Sequence, residues 1–238
     1  MDKSQRHAAL IYAITFPLAT VLITVAFTRF LAPILVWNQD AETAHNLIAN
    51  AHTYRMFIAA SCLYGVAGVV LLTALYWVLR PVNRGLALFA AFSRLVYVAM
   101  WFAQLLGSFS ALRIMAGVQP LEAFDPRQLQ ALAGLQLASG WDAYYIGLPF
   151  YALSTLLFSW LFFQSRYIPR ILAAWGMLAS VFEGVCGFAF LNHRGFEAVV
   201  SPNFYEMPTM LFELGLCIAI LWTALRAAKP GKAAPAGN

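Results

Sequence analysis

The chain has 238 residues, of which 62% are hydrophobic and 11% charged, with a mean hydropathy of +0.71. A soluble domain carries about 25% charged residues, so an ordinary water-soluble enzyme is excluded and the surplus apolar surface has to face lipid. The three cysteines form no CxxC pair, which excludes a disulfide framework and a thiolate zinc site.

Crossing a hydrocarbon core of about 30 Å takes about 20 apolar residues in a helix. Six nearly charge-free stretches meet that demand: Ala8 to Thr28, Met56 to Leu79, Leu86 to Leu112, Ala143 to Phe163, Ile171 to Leu191 and Met207 to Leu225. They predict an all-α bundle of six transmembrane helices occupying residues 1–228 as one membrane domain, followed by a disordered tail over 229–238. The first stretch is too long for a signal-peptide core and no small-residue cleavage site follows it, so it is expected to be retained.

The segments between the spans are not alike. The N-terminus, Arg80 to Gly85, Gln164 to Arg170 and the tail hold nine basic residues against Asp2 alone, whereas the opposite set holds five basic residues against seven acidic ones. Positive loops stay in the cytoplasm, so both termini are expected there. The net charge of +5 then reads as this bias plus contact with anionic lipid, with no nucleic-acid partner implied.

Taken in order, the segment after the first span starts at Asp40, an N-cap residue type, and places Ala44, Leu47, Ile48 and Ala51 at the spacing of an amphipathic helix, expected to lie flat on the outer membrane surface. Asp125, Pro126 and Gln128 read as a capped start of a second short external helix leading toward Trp141. Small residues Ser61, Gly65 and Gly68, and Gly176, Ser180, Gly184 and Gly187, permit close helix approach; Pro17 and Pro149 are expected to bend their helices. RPVNRGLALFAAFSR and RYIPRILAAWGMLA look alike, a weak repeat in the same orientation. No phosphate loop, HExxH or nucleophile elbow is present.

LRPVNRGLALFAAFSRLVY, DAETAHNLIANAHTYR, SRYIPRILAAWGML and PTMLFELGLCIAILW, in that order, resemble segments of the bacterial membrane family called domain of unknown function 4386. The resemblance runs from the first span through the sixth and implies a multi-pass protein of the bacterial inner membrane. It implies that Arg94 and Glu213 match positions where the family carries Arg and Glu. Tyr97 stands where many members carry an acidic or amide residue, and no activity is implied.

Within the spans three residues are fully intramembrane and ionisable: Arg94, Glu183 and Glu213. A charge in mid-helix costs about 2.5 to 3.5 kcal/mol on insertion scales, so such residues face the bundle and find partners. They lie about 13, 20 and 20 Å from the cytoplasmic ends of their spans, so all three are expected to meet. One guanidinium neutralises one carboxylate, so the second carboxyl is expected to hold a proton near neutral pH, which makes Glu213 and Glu183 the candidate acids or bases. Arg94, Tyr97, Trp101, Gln104 and Ser108 share one face of the third span, Glu206 and Glu213 share a face of the sixth, and Asp142 and Tyr145 begin the fourth. Together they are expected to line a polar pocket that opens outward and ends at the Arg94 cluster.

That pocket suits a small amphipathic or lipid-like molecule, with Arg94 on its anionic or carbonyl group. The alternatives are an accessory or structural subunit whose polar residues only fix packing, a membrane-embedded isomerase or cyclase working by acid catalysis, and a proton-coupled carrier. His45, His52 and His193 fall on the outer side; His45 and His52 are about 10.5 Å apart along a helix, too far to chelate one ion, so neither metal nor cofactor is expected. Cys62, Cys186 and Cys217 sit inside spans as small apolar residues.

Overall fold

The computed structural model describes residues 1–36, 39–116, 124–193, 195–196 and 200–227; the predicted tail lies outside them. Among these residues it is all helix and turn. Helix α1 (Lys3–Val25) passes into a π-helical stretch (Ala26–Leu31), followed by α2 (Asp40–Ala49), α3 (Ala51–Leu79), α4 (Arg84–Met115), α5 (Pro126–Ser165), α6 (Arg170–Asn192) and α7 (Pro202–Arg226). Six of these are long and apolar enough to cross a membrane and contain the six predicted stretches.

Local chemistry sets several helix starts. Asp2 and Gln5 satisfy each other's backbone N–H groups in a capping box, and Asp125 and Gln128 do the same with Pro126 at the first helical position. Asn83 accepts from the Leu86 N–H and opens α4.

Two expectations need correction. The run from Asp125 is no separate external helix: it is the beginning of α5, whose 40 residues continue without a break through the fourth span. A helix of that length is about 60 Å long, twice the hydrocarbon thickness, so its first turns project beyond the membrane. Helix α2 does not lay its apolar face on lipid. Thr43, Ala44 and Leu47 are buried against the projecting part of α5 and the end of α4, joining Ala111, Leu112, Ala133 and Leu137. The Thr43 hydroxyl also accepts from the Val36 N–H and donates to its carbonyl, which pins the preceding turn. The side chains of Asp40 and Ile48 lie outside the described residues.

The spanning helices close a ring. Backbones approach between α1 and α3, α3 and α4, α4 and α5, α5 and α6, α6 and α7, and α7 back to α1. In lipid, apolar burial gives little drive between helices, so close packing has to supply it. At the α4–α5 crossing Gly107 lies so near α5 that a Cβ there would sit 2.7 Å from the Gln136 carbonyl oxygen. At the α5–α6 side a Cβ on Gly176 would meet Ser159 and Phe212 at 2.5 Å.

Both chain ends lie at one end of the ring, here the terminal end; α2 and the start of α5 lie at the other, the loop end. The terminal end is a dense apolar layer that includes Leu79, Phe158, Phe162, Leu216 and Ile220. Toward the loop end the interior is aromatic, with Trp101, Tyr144 and Tyr205 buried. Between these two layers sit the polar side chains.

Candidate functional site

Arg94 lies ten residues into α4, about 15 Å along it, on the inward stripe it shares with Val98, Trp101 and Leu105. A guanidinium at that depth needs partners for its donors, and α5 and α7 provide them. Its Nε donates to Ser154 Oγ at 3.3 Å, and Nη2 donates to Thr155 Oγ1 at 2.6 Å and to Glu213 Oε1 at 3.5 Å. Its planar face lies over the Tyr151 ring, 3.7 Å from the centroid, a cation–π contact. The Tyr151 hydroxyl donates to the same Glu213 oxygen at 2.7 Å.

A second carboxyl–phenol pair repeats this arrangement two turns away. Tyr144 donates to Glu206 by a short hydrogen bond, and Tyr205 donates to Tyr144 at 3.2 Å. Tyr144 and Tyr151 are seven residues apart on α5, as Glu206 and Glu213 are on α7, so two helices running in the same direction present matched Tyr–Glu pairs about 10.5 Å apart. Thr209 falls between them on α7 and donates to Glu183 Oε2 of α6 at 2.7 Å. Tyr97 fills the gap on α4, its ring edge-on to Tyr144 at 6.5 Å and to Tyr151 at 4.8 Å.

The expected three-way meeting is therefore corrected. Glu213 is the carboxylate on Arg94; Glu183 is held by Thr209 instead. The ring order explains this, since α6 approaches α5 and α7 while Nε and Nη2 of Arg94 donate to those two helices. Asp142, placed by expectation in the pocket wall, is exposed on α5. Tyr145 turns toward α6, stacked on Phe190 at 4.6 Å.

The rest of the α4 stripe does point inward. Trp101 Nε1 donates to the Ser61 carbonyl at 3.0 Å, and its ring packs on Tyr64. Gln104 and Ser108 line a cavity of about 20 Å³ beneath α2, with Thr43, Tyr54 and Trp141. Gln104 is 7% exposed and its Oε1 has no hydrogen-bond partner among the described residues. A cavity of that size holds one water, and an orphaned amide oxygen is a reason for one to bind.

Tyr151, Ser154, Thr155 and Thr209 escaped sequence reasoning. Hydroxyls and phenols are common in membrane helices, so none stands out alone. The signal that could have found the tyrosines was their seven-residue spacing, which copies that of Glu206 and Glu213. His45, His52 and His193 are exposed, Cys62 is exposed, Cys186 is buried, and Cys217 points its thiol at the Ala13 carbonyl at 3.4 Å.

Two features bear on access. The side chains of Arg94 and Glu213 keep 13% and 19% of their accessible surface although both face the inside of the ring. Tyr64, Tyr97 and Tyr151 are likewise only partly buried. On the lipid side, a wholly apolar groove of about 480 Å³ runs between α6 and α7, lined by Trp175, Leu178, Phe182, Phe204, Met207 and Leu211. Phe182 and Pro208 of its wall are the sequence neighbours of Glu183 and Thr209.

No curated protein and no solved structure matches the chain. The family model described as "Domain of unknown function (DUF4386)" matches residues 9–222, and this multi-pass membrane protein of six spanning helices belongs to that family.

Proposed function

We propose that the protein is one membrane domain over residues 1–228, set in a bacterial inner membrane with both termini cytoplasmic, that binds a small amphipathic or lipid-like molecule inside its ring. The observation that carries this reading is an Arg94–Glu213 pair, halfway through the membrane, that keeps accessible surface although both side chains are paired. A static packing device gains by closing around its charges; here the Arg–Glu pair and the phenols beside it keep part of their surface accessible. Arg94 holds the anionic or carbonyl group of the ligand, and Glu213 and Glu183 exchange a proton with it. Tyr97, Trp101 and Tyr151 wall the site, and the apolar groove between α6 and α7 receives the hydrocarbon part.

Arg80, Arg170 and Arg226 support this choice of cytoplasmic side. Each lies over an aromatic ring, of Trp77, Phe163 and Trp222, at the terminal end. Arginine beside a ring of this kind sits at the headgroup level, and the basic excess there follows the positive-inside rule.

The test is mass spectrometry of the organic extract of purified protein, wild type against Arg94→Gln/Glu213→Gln. The double variant leaves no unpaired charge and is checked by its melting temperature. A compound that co-purifies with wild type and is lost from a folded double variant supports binding. An identical extract from both, or none from either, overturns it in favour of a structural subunit.

A further inference from the structure

The seam between α5 and α7 carries more acid than one guanidinium can balance. Among the described residues Glu206, Glu183 and Glu213 stand against Arg94 alone, so full ionisation would leave two negative charges without an ion-pair partner, one at Glu183 inside the bundle and one at Glu206 at its loop end, and neutrality takes two protons. Where those protons come from is set by depth. Glu206 is twenty residues from Arg226 on α7, about 30 Å, which is the full hydrocarbon thickness; Glu213 is thirteen, about 20 Å. With Arg226 at the terminal-end headgroups, Glu206 sits at the loop-end interface. It is exposed there, whereas Glu183 is 2% exposed and Glu213 lies at mid-membrane.

The terminal side is closed. Going from Glu213 toward that end, α7 presents Leu216 and Ile220, packed with Phe158 and Phe162 of α5, all at most 2% exposed. Within that layer lie the buried Ser159 hydroxyl and the Cys217 thiol, the latter turned to the Ala13 carbonyl; beyond it Gln5 Nε2 donates to the Val78 carbonyl at 2.8 Å and Thr223 donates to the Tyr167 carbonyl. At the loop end, by contrast, the α4 face continues to Gln104, whose orphaned amide oxygen lines the water-sized cavity.

We propose that this seam is a one-ended proton-loading site, filled from water at Glu206 and ending at the Glu213–Arg94 pair. At the mouth a hydronium ion gives its proton to a Glu206 carboxylate oxygen, leaving water and a neutral carboxyl. Passing the proton inward returns Glu206 to a carboxylate as Glu183 or Glu213 becomes neutral. The Tyr144 hydroxyl or water in the ring, which releases one proton for each it accepts, carries the transfer. Other titratable groups facing this column are Tyr12 of α1, Tyr64 of α3 and Tyr97 of α4. From α5 come Tyr144 and Tyr151, from α6 Cys186, and from α7 Tyr205 and Cys217. Phenols and thiols are neutral near pH 7, so the three carboxyls carry the load. The inference holds whether or not Arg94 takes a ligand.

Infrared difference spectroscopy on vesicles of uniform insertion reads it through the carbonyl band of protonated carboxyls. Acidifying the loop-end face alone should raise the band, and acidifying the terminal-end face alone should leave it unchanged. Glu183→Gln should remove one of the three contributions. Glu206→Gln, at an exposed position that does not disturb packing, should slow loading of the remaining two. A band that responds equally from both faces, or to neither, overturns the proposal, as does unaltered loading in Glu206→Gln.

Discussion

Arg94 has a hydrogen bond to each of three neighbours and a ring beneath it, which is what a permanent cation needs in the middle of a bilayer. Removing one member of such a pair leaves the other without compensation. Glu213→Gln and Arg94→Gln should therefore each destabilise the protein by about 3 kcal/mol, the lower end for buried pairs because both side chains keep some access. The double variant should recover most of that loss, and Glu206→Gln, exposed at the mouth, should cost less than either single change. Thermal unfolding of the four variants in one detergent measures this, and a loss in the double variant equal to the sum of the two single losses would show the pair to be uncoupled. The pair itself was legible in the sequence because a charge inside an apolar stretch has few explanations. Its hydroxyl partners were not, because Ser154, Thr155 and Thr209 fit a membrane helix equally well with no site nearby. Glu183 was found as a residue but given the wrong partner, since sequence fixes depth along a helix and not which neighbour the helix faces.

At the scale of elements, apolar length read out the six spans because the bilayer imposes one thickness on all of them. It failed where that constraint stops. Beyond the membrane α5 can continue in water without any change in backbone geometry, so its polar first turns look like a separate helix. The apolar face of α2 fits a lipid surface and a protein surface alike, and only the projecting part of α5 decides which it meets. Glycines are similarly silent until a neighbour is known. Gly107→Ala should destabilise by about 1 to 3 kcal/mol, because the added Cβ meets the Gln136 carbonyl and the Gly140 backbone, neither of which can rotate away. Gly85→Ala, whose nearest neighbour would be at 3.6 Å in the first turn of α4, should be neutral or gain up to about 1 kcal/mol from the lost flexibility of the unfolded chain. Melting temperatures of the two variants separate close approach from helix propensity.

For the whole molecule, ring closure and charge asymmetry point the same way. Consecutive spanning helices are neighbours all round the ring, so short loops suffice, and the two helices at its ends, α1 and α7, close it without a crossover. An even number of crossings then puts both chain ends on one face, the face where arginines cover Trp77, Phe163 and Trp222. That face should be cytoplasmic, because moving its basic segments across the membrane is what the positive-inside rule opposes. In a background with Cys62, Cys186 and Cys217 replaced by alanine, an impermeant maleimide applied to spheroplasts should label His52→Cys and His193→Cys, both at exposed loop-end positions. Gln164→Cys, exposed in the last turn of α5 at the terminal end, should label only after lysis. The reverse pattern would turn the molecule over, placing Glu206 and the mouth of the carboxyl seam toward the cytoplasm. The seam would then load from the cytoplasm, whose pH the cell holds nearly constant, and a mouth on the outer face is the arrangement in which external acid reaches Glu213.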